Sequence, residues 1–207
     1  MQIRLRTELT AEQYINAEQW GNAKFWPREL RPGAGFRRHG TYGRRKPNGL
    51  RVARWYNRDK HLTVSALPDF AAARVSSSLA EIEDIVADVE QASGEMSFEH
   101  IAGNLRRDIG LPGAMRWVRR RMLWVSVALT TLRGLAADKL TGCALSVEQF
   151  RLRLGTECVL ARAREIATRN LARFPAPVGL SPLPKSGKRR RKSAQHKSGS
   201  DPPTFSP

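Results

Sequence analysis

From Leu79 to Leu132 the apolar residues recur at helical intervals, whereas between Gly35 and Ala66 they fall in short runs broken by turn residues. The chain therefore predicts a small sheet followed by a helical region. Leu79, Ile82, Val86 and Val89 share one face of a helix that Ser78 can cap by accepting a backbone N–H. Ser97 caps a second helix over 97–107, with Phe98, Ile101 and Leu105 on one side, ending near Gly110. Leu111-Pro112 opens a third, because proline suits a helical first turn. Its stripe of Met115, Val118, Met122, Val125, Leu129 and Leu132 reads as bundle core. Residues 146–173 supply one or two further helices, with Phe150, Leu154, Leu160, Ile166 and Leu171 facing inward.

Residues 35–43, 50–57 and 61–66 are rich in Val, Tyr, Trp and Thr and read as three strands. Lys46-Pro-Asn-Gly49 separates the first two, and Asn-Gly accepts the positive φ of a tight hairpin turn. A three-stranded antiparallel sheet is expected. Thr10 stands three residues before Gln13, a capping box that starts a short helix running to about Trp20. From Pro175 the apolar period is lost and Pro, Ser, Gly and Lys dominate, the composition of a disordered segment. The expected fold is α+β, mostly α. An N-terminal helix or arm (1–23) leads into a small β domain (24–67), a helical domain (68–174) and a disordered basic tail (175–207).

Charge changes the picture most. The formal net charge is +17 and the sequence pI about 11.2, which argues for a polyanionic partner. The positive charge gathers in 24–60 and in the tail, while 79–95 holds six acids and no Lys or Arg. That acidic run is either a solvated helix face or a surface that packs against a basic one. Cys143 and Cys158 form no CxxC and read as small apolar residues, a usage that fits a reducing cytosol. The N-terminus has no apolar signal region, and the longest apolar stretch, Met122–Leu132, falls well short of the roughly 20 residues of a bilayer span. The expected location is cytoplasmic, nucleoid-associated when bound to DNA, without a membrane partner.

Chemistry-bearing motifs are sparse. No P-loop, GxGxxG after a strand, GxSxG or HExxH occurs, so no catalytic residue is assigned and the chain is not read as an enzyme. His100 beside Glu99 reads as a helix pair and not a catalytic dyad. Two histidines, His39 and His61, with oxygen donors at Asp59 and Glu29, are a poor set for a structural zinc, so neither metal nor cofactor is expected. Phe25, Trp26, Phe36, Tyr42, Trp55 and Tyr56 stand near arginines, as a mini-core or as stacking partners for bases. Helices 97–107 and 112–123, joined through Gly110, follow the plan of a helix-turn-helix over 97–123. Its second helix presents Arg116, Trp117, Arg119, Arg120 and Arg121, with 116, 119 and 120 opposite the apolar stripe.

Residues Gly35–Val75, with Leu111-Pro-Gly-Ala-Met-Arg-Trp-Val-Arg-Arg-Arg-Met122, resemble a family of uncharacterised bacterial, transposase-associated proteins. Members join an N-terminal zinc ribbon to a helix-turn-helix-like region, and the resemblance covers about residues 20 to 125. It is carried by His39-Gly-Thr-Tyr42, Leu67-Pro-Asp69 and Leu111-Pro-Gly113. The family pattern implies cysteines where Trp26, Ala34 and Asn57 stand, with His61 completing the site. Only His61 matches, so the chain looks like a degenerate relative in which the metal cysteines are lost.

The function expected is non-catalytic DNA binding connected with mobile elements. Arg37, Arg38, Arg44, Arg45, Arg51 and Arg54 would hold phosphates, and Arg116, Arg119 and Arg120 would lie in or beside a groove. Lys188, Arg189, Arg190 and Arg191 in the tail would add non-specific attraction. DNA is preferred over RNA, with RNA binding by the aromatic strands as one alternative. Another is a protein-interaction module, using helix 79–95 and the apolar stripe of 112–132 toward a protein partner or a second copy.

Overall fold

The alternation between Phe36 and Asn57 folds as a hairpin. In the computed structural model, which describes residues 1–21, 27, 30 and 35–180, β2 (Phe36–Gly43) pairs antiparallel with β3 (Arg51–Asn57). Their register slips between Arg38 and Thr41, a bulge at which Gly40 takes φ 79°. The Asn48-Gly49 turn sits where expected, with Gly49 at φ 78°. β4 (Leu62–Pro68) adds antiparallel to β3.

A fourth strand corrects the expected sheet. β1 (Gln2–Leu5) pairs parallel with β4, giving a mixed sheet in the order β1-β4-β3-β2. Four residues at a chain end carry too little periodicity to announce a strand, and the partner lies some sixty residues away. The first residues are thus part of the sheet layer and not a separate arm. Ile3, Leu5, Tyr14 and Trp20 join Phe36, Val52, Trp55, Val64 and Leu67 in one core. The Thr10–Gln13 capping box forms and starts α1 (Ala11–Asn16), which is shorter than expected. A 3-10 turn at Gln19–Gly21 then buries Trp20.

The helices follow the predicted caps. Ser78 accepts from the Glu81 N–H at the start of α2 (Leu79–Ala92), and Ser97 accepts from the His100 N–H at the start of α3 (Phe98–Leu105). α4 (Leu111–Leu135) runs for 25 residues, more than twice the span the helix-turn-helix plan uses. Short α5 (Ala137–Leu140) leads to α6 (Val147–Leu154), which stops at Gly155 in the left-handed region, and to α7 (Val159–Ile166). α2, α4, α6 and α7 close around a second core that includes Leu79, Ile82, Val125, Leu129, Leu132, Phe150 and Leu160. Val89, Ile101, Ala102, Ala114 and Val118 make a smaller third cluster between α2, α3 and the start of α4. The architecture is α+β, mostly α.

The boundary drawn at Pro175 is too early. Phe174, Val178 and Leu180 are buried, the first two in the helical core and the last in the sheet core. Their spacing lacks a helix or strand period because the segment is irregular, and its anchor is Arg164. This side chain is fully buried and donates to the carbonyls of Asp69, Ala71, Pro177 and Val178 at 2.9 Å.

Candidate nucleic-acid interface

Strand pleating sorts the arginines of the β domain onto different sides. Arg37, His39, Tyr42, Arg54 and Tyr56 share one face, because Arg37 pairs with Tyr56 and the bulge brings Tyr42 back into that phase opposite Val52. Arg38 pairs with Trp55 on the opposite face, where its guanidinium carbon lies 5.1 Å from the Trp55 ring centroid. Burial lowers its pKa, against the pull of Tyr14. Arg44 turns inward and donates to the carbonyls of Ala72 and Val75. Arg51 is exposed and donates from Nε to the Thr41 hydroxyl at 3.0 Å, and Arg45 is exposed on the hairpin loop. The six arginines expected to act together are therefore divided: Arg38 and Arg44 serve the fold, exposed Arg37 and half-buried Arg54 share the Tyr56 face, and Arg45 and Arg51 are exposed elsewhere.

Tyr56 is the centre of the first face. The His39 ring lies 5.7 Å from it, centroid to centroid, tilted by 42°. His61 follows β3 in the turn, at φ 45°, and its Nδ1 shares a hydrogen bond of 3.3 Å with the Tyr56 hydroxyl. Arg54 places its guanidinium carbon 5.7 Å from the Tyr42 ring centroid. The period-two phase of Arg37 and His39 against Arg54 and Tyr56 carries this grouping in the sequence, although the two histidines there suggest ligands first. Asn57, at a position where the resemblance expects a ligand, instead accepts the Lys60 N–H and closes the turn. Trp26, Ala34, Glu29 and Phe25 lie outside the described residues. Among the described residues, no three His, Cys, Asp or Glu side chains converge as a metal site.

α4 supplies the second surface. Arg116, Arg119 and Arg120 are exposed, opposite Ala114, Val118, Val125, Leu129 and Leu132. Arg119 reaches back to α3, its guanidinium carbon 5.2 Å from the Phe98 ring centroid. Arg121 is different. It is buried in the stripe, its guanidinium carbon 3.4 Å from the Trp117 centroid and 5.8 Å from that of Trp124. Burial pulls its pKa down to about 10, opposed by Glu81. Met115 and Met122, expected in the stripe, are only partly buried, because Ala114 and Arg121 take the inward positions. Arg106 also lies over the half-buried Trp117 ring, its guanidinium carbon 4.7 Å from the centroid, and pairs with Asp108.

Four acids of the run 79–95 have partners within the molecule, while Asp88 and Glu95 are exposed. Glu81 binds Lys46 of the hairpin loop at 2.6 Å, Asp84 binds Arg151, and Glu90 accepts the Val147 N–H. Glu83 is fully buried and accepts from the N–H groups of Val159 and Leu160 and from Arg151. Among the described residues none of the ion pairs involves Arg37, Arg45, Arg51, Arg54, Arg116, Arg119 or Arg120. Lys188, Arg189, Arg190 and Arg191 lie outside the described residues. Among the described residues no helix is long and apolar enough to cross a membrane.

No protein-family model, curated protein or solved structure matches this chain.

Proposed function

We propose that the protein binds DNA without a catalytic step, through phosphate contacts from exposed arginines. The observation that carries this reading is the solvent face of α4, where Arg116, Arg119 and Arg120 stand exposed and, among the described residues, form no ion pair. A guanidinium in that position forks onto phosphate or onto the guanine edge in a major groove. The +17 charge of the chain strengthens any such contact, and the tail Lys188–Lys192 adds to it without sequence preference. The resemblance to transposase-associated ribbon proteins supports the same class of partner, in or near the nucleoid of a bacterial cytoplasm. The competing reading, a module that binds protein through helix 79–95, has less to work with, because Glu81, Glu83, Asp84 and Glu90 already have internal partners.

The test is fluorescence anisotropy of the full chain on a labelled duplex between about 50 and 200 mM salt, a range over which phosphate-driven binding falls steeply. Arg116→Gln, Arg119→Gln and Arg120→Gln together reduce the magnitude of the log–log salt slope by about 2.7, at about 0.9 per lost phosphate contact. Binding by the triple variant with wild-type affinity and slope removes α4 from the interface. A chain with its tail bases replaced that no longer binds at all assigns the attraction to the tail alone.

A further inference from the structure

The exposed side of β2 and β3 has a chemistry that phosphate binding alone leaves unused. Duplex recognition by charge asks for arginines and lysines. This face instead interleaves arginines with flat rings at strand spacing. Tyr56 is half-buried and sits between exposed Arg37 and His39 on β2 and exposed His61 beyond the end of β3. The His39 ring is 5.7 Å away and the His61 imidazole holds the phenol hydroxyl at 3.3 Å, so the tyrosine ring is fixed from two sides. One residue pair along, Arg54 covers the half-buried Tyr42 ring at 5.7 Å, and Gln2 of β1 lies 3.4 Å from the Tyr42 hydroxyl. The Nε of Arg54 is shielded from solvent and has no hydrogen-bond acceptor among the described residues.

The face is also bounded in a useful way. Arg4, in the same phase on β1, is held by Asp69 and by the Arg164 carbonyl and Thr168 at the end of α7. α7 thus covers the β1 side, whereas on β2 and β3 Arg37 and His39 are exposed and Tyr42, Arg54 and Tyr56 are half-buried. No acidic side chain in β2, β3 or β4 opposes the arginines, since these strands contain none. Rings held rigidly on a sheet, spaced by unpaired guanidinium groups, match the faces and backbone of an unpaired strand, in which bases are free to leave their own stack. A duplex cannot offer base faces to this surface, because they are closed within it.

We propose that this face is a stacking platform for single-stranded nucleic acid, in which a base lies on the Tyr56–His39 pair, a second base meets Tyr42, and Arg37 and Arg54 hold the intervening phosphates. The proposal rests on the reading of the chain as a nucleic-acid binder and names a second substrate form for it.

The experiment titrates the full chain with fluorescein-labelled dT12 and rU12, and with a duplex, at one salt concentration. Tyr56→Leu keeps an apolar side chain of useful size at a half-buried strand position, and His39→Ala removes an exposed ring with little risk to folding. Stacking on aromatics is worth about 1–3 kcal/mol per base, so each substitution weakens dT12 or rU12 binding by roughly 5- to 150-fold while duplex affinity stays within twofold. Tighter binding of either oligonucleotide by the wild type supports the platform and assigns the preferred sugar. Wild-type affinity of both variants for dT12 and rU12 overturns it. Failure of all three probes to bind the wild type overturns the nucleic-acid reading as well, which separates the two failures.

Discussion

Tyr14 shows how one buried hydroxyl can be read as a pH-dependent quantity. Its ring is fully buried, packed against Trp20 and Phe70 at centroid distances of 5.7 and 5.6 Å, and its hydroxyl has no hydrogen-bond partner among the described residues. Burial pushes its pKa up to about 12 from an ordinary 10.0, with the nearby Arg38 acting in the opposite direction. Below pH 10 the phenol is neutral in both the folded and the unfolded chain. Between pH 10 and 12 the unfolded chain loses this proton and the folded one keeps it, so this group's contribution to stability falls as pH rises through that window. Tyr14→Phe removes both the unpaired hydroxyl and the titration. The variant is more stable than the wild type by about 1 kcal/mol at pH 7, and its advantage widens above pH 10. Urea midpoints at pH 7 and pH 11 check this. A phenylalanine variant that unfolds earlier at pH 7 would show that the hydroxyl contributes a bond in solution.

At the scale of elements, the contact that decides helix placement is Glu83 of α2 against the start of α7. Its carboxylate accepts the Val159 and Leu160 N–H groups at 3.1 and 2.9 Å and the Arg151 Nε at 2.8 Å. It serves as the cap that α7 lacks in its own sequence, because Cys158 at the N-cap supplies no side-chain hydrogen bond. Burial, with Glu83 alongside, pushes the Cys158 thiol up to about 12. Glu83→Gln keeps the size but turns a donor toward donors, and costs about 3 kcal/mol, whereas Asp84→Asn on the exposed side costs less than about 0.5 kcal/mol. Thermal unfolding of the two variants, with hydrogen exchange at the α7 amides, distinguishes this lock from generic loss of charge. Equal costs for both variants would remove Glu83 as the cap.

Such locks explain what was legible in the sequence and what was not. The caps at Thr10, Ser78 and Ser97 and the Asn48-Gly49 turn are local, and local chemistry names them in advance. β1 and the 174–180 segment depend on partners far along the chain, to which neither periodicity nor composition points. Glu83 reads as one member of an acidic run until α7 folds against it. Arg121 reads as one of three consecutive arginines until Trp117 and Trp124 are seen to flank it. The candidate interface divides in the same way. Exposure of Arg116, Arg119 and Arg120 follows from helical spacing, but the separation of Arg37 and Arg54 from Arg38 needs the register of β2 on β3.

At the scale of the whole molecule, a sheet core and a helical core are tied by polar bonds as much as by apolar contact. Arg164 is the main tie. It reaches from α7 to the carbonyls of Asp69 and Ala71 at the end of β4 and to Pro177 and Val178 in the returning segment. Full burial pulls its pKa down to about 10, still well above neutrality, so the group is charged wherever the protein functions. Arg4 reinforces the tie through Asp69 and the Arg164 carbonyl, and Lys46 on the hairpin loop reinforces it through Glu81. Arg164→Met keeps the length of the stem but leaves these carbonyls without a donor inside a dry interface. The loss is about 3 kcal/mol or more, and its more telling effect is on cooperativity. The wild type is expected to unfold in urea in a single step, with coincident midpoints from helical circular dichroism and from tryptophan emission, to which Trp55 contributes from the sheet core and Trp124 from the helical one. In Arg164→Met the two midpoints separate, because each core then melts on its own contacts. Coincident midpoints in the variant, shifted together, would mean that apolar packing alone joins the halves. Splitting would mean that the two arginine surfaces, on β2–β3 and on α4, depend on this buried guanidinium for their relative positions and that the Arg4 and Lys46 contacts do not suffice without it.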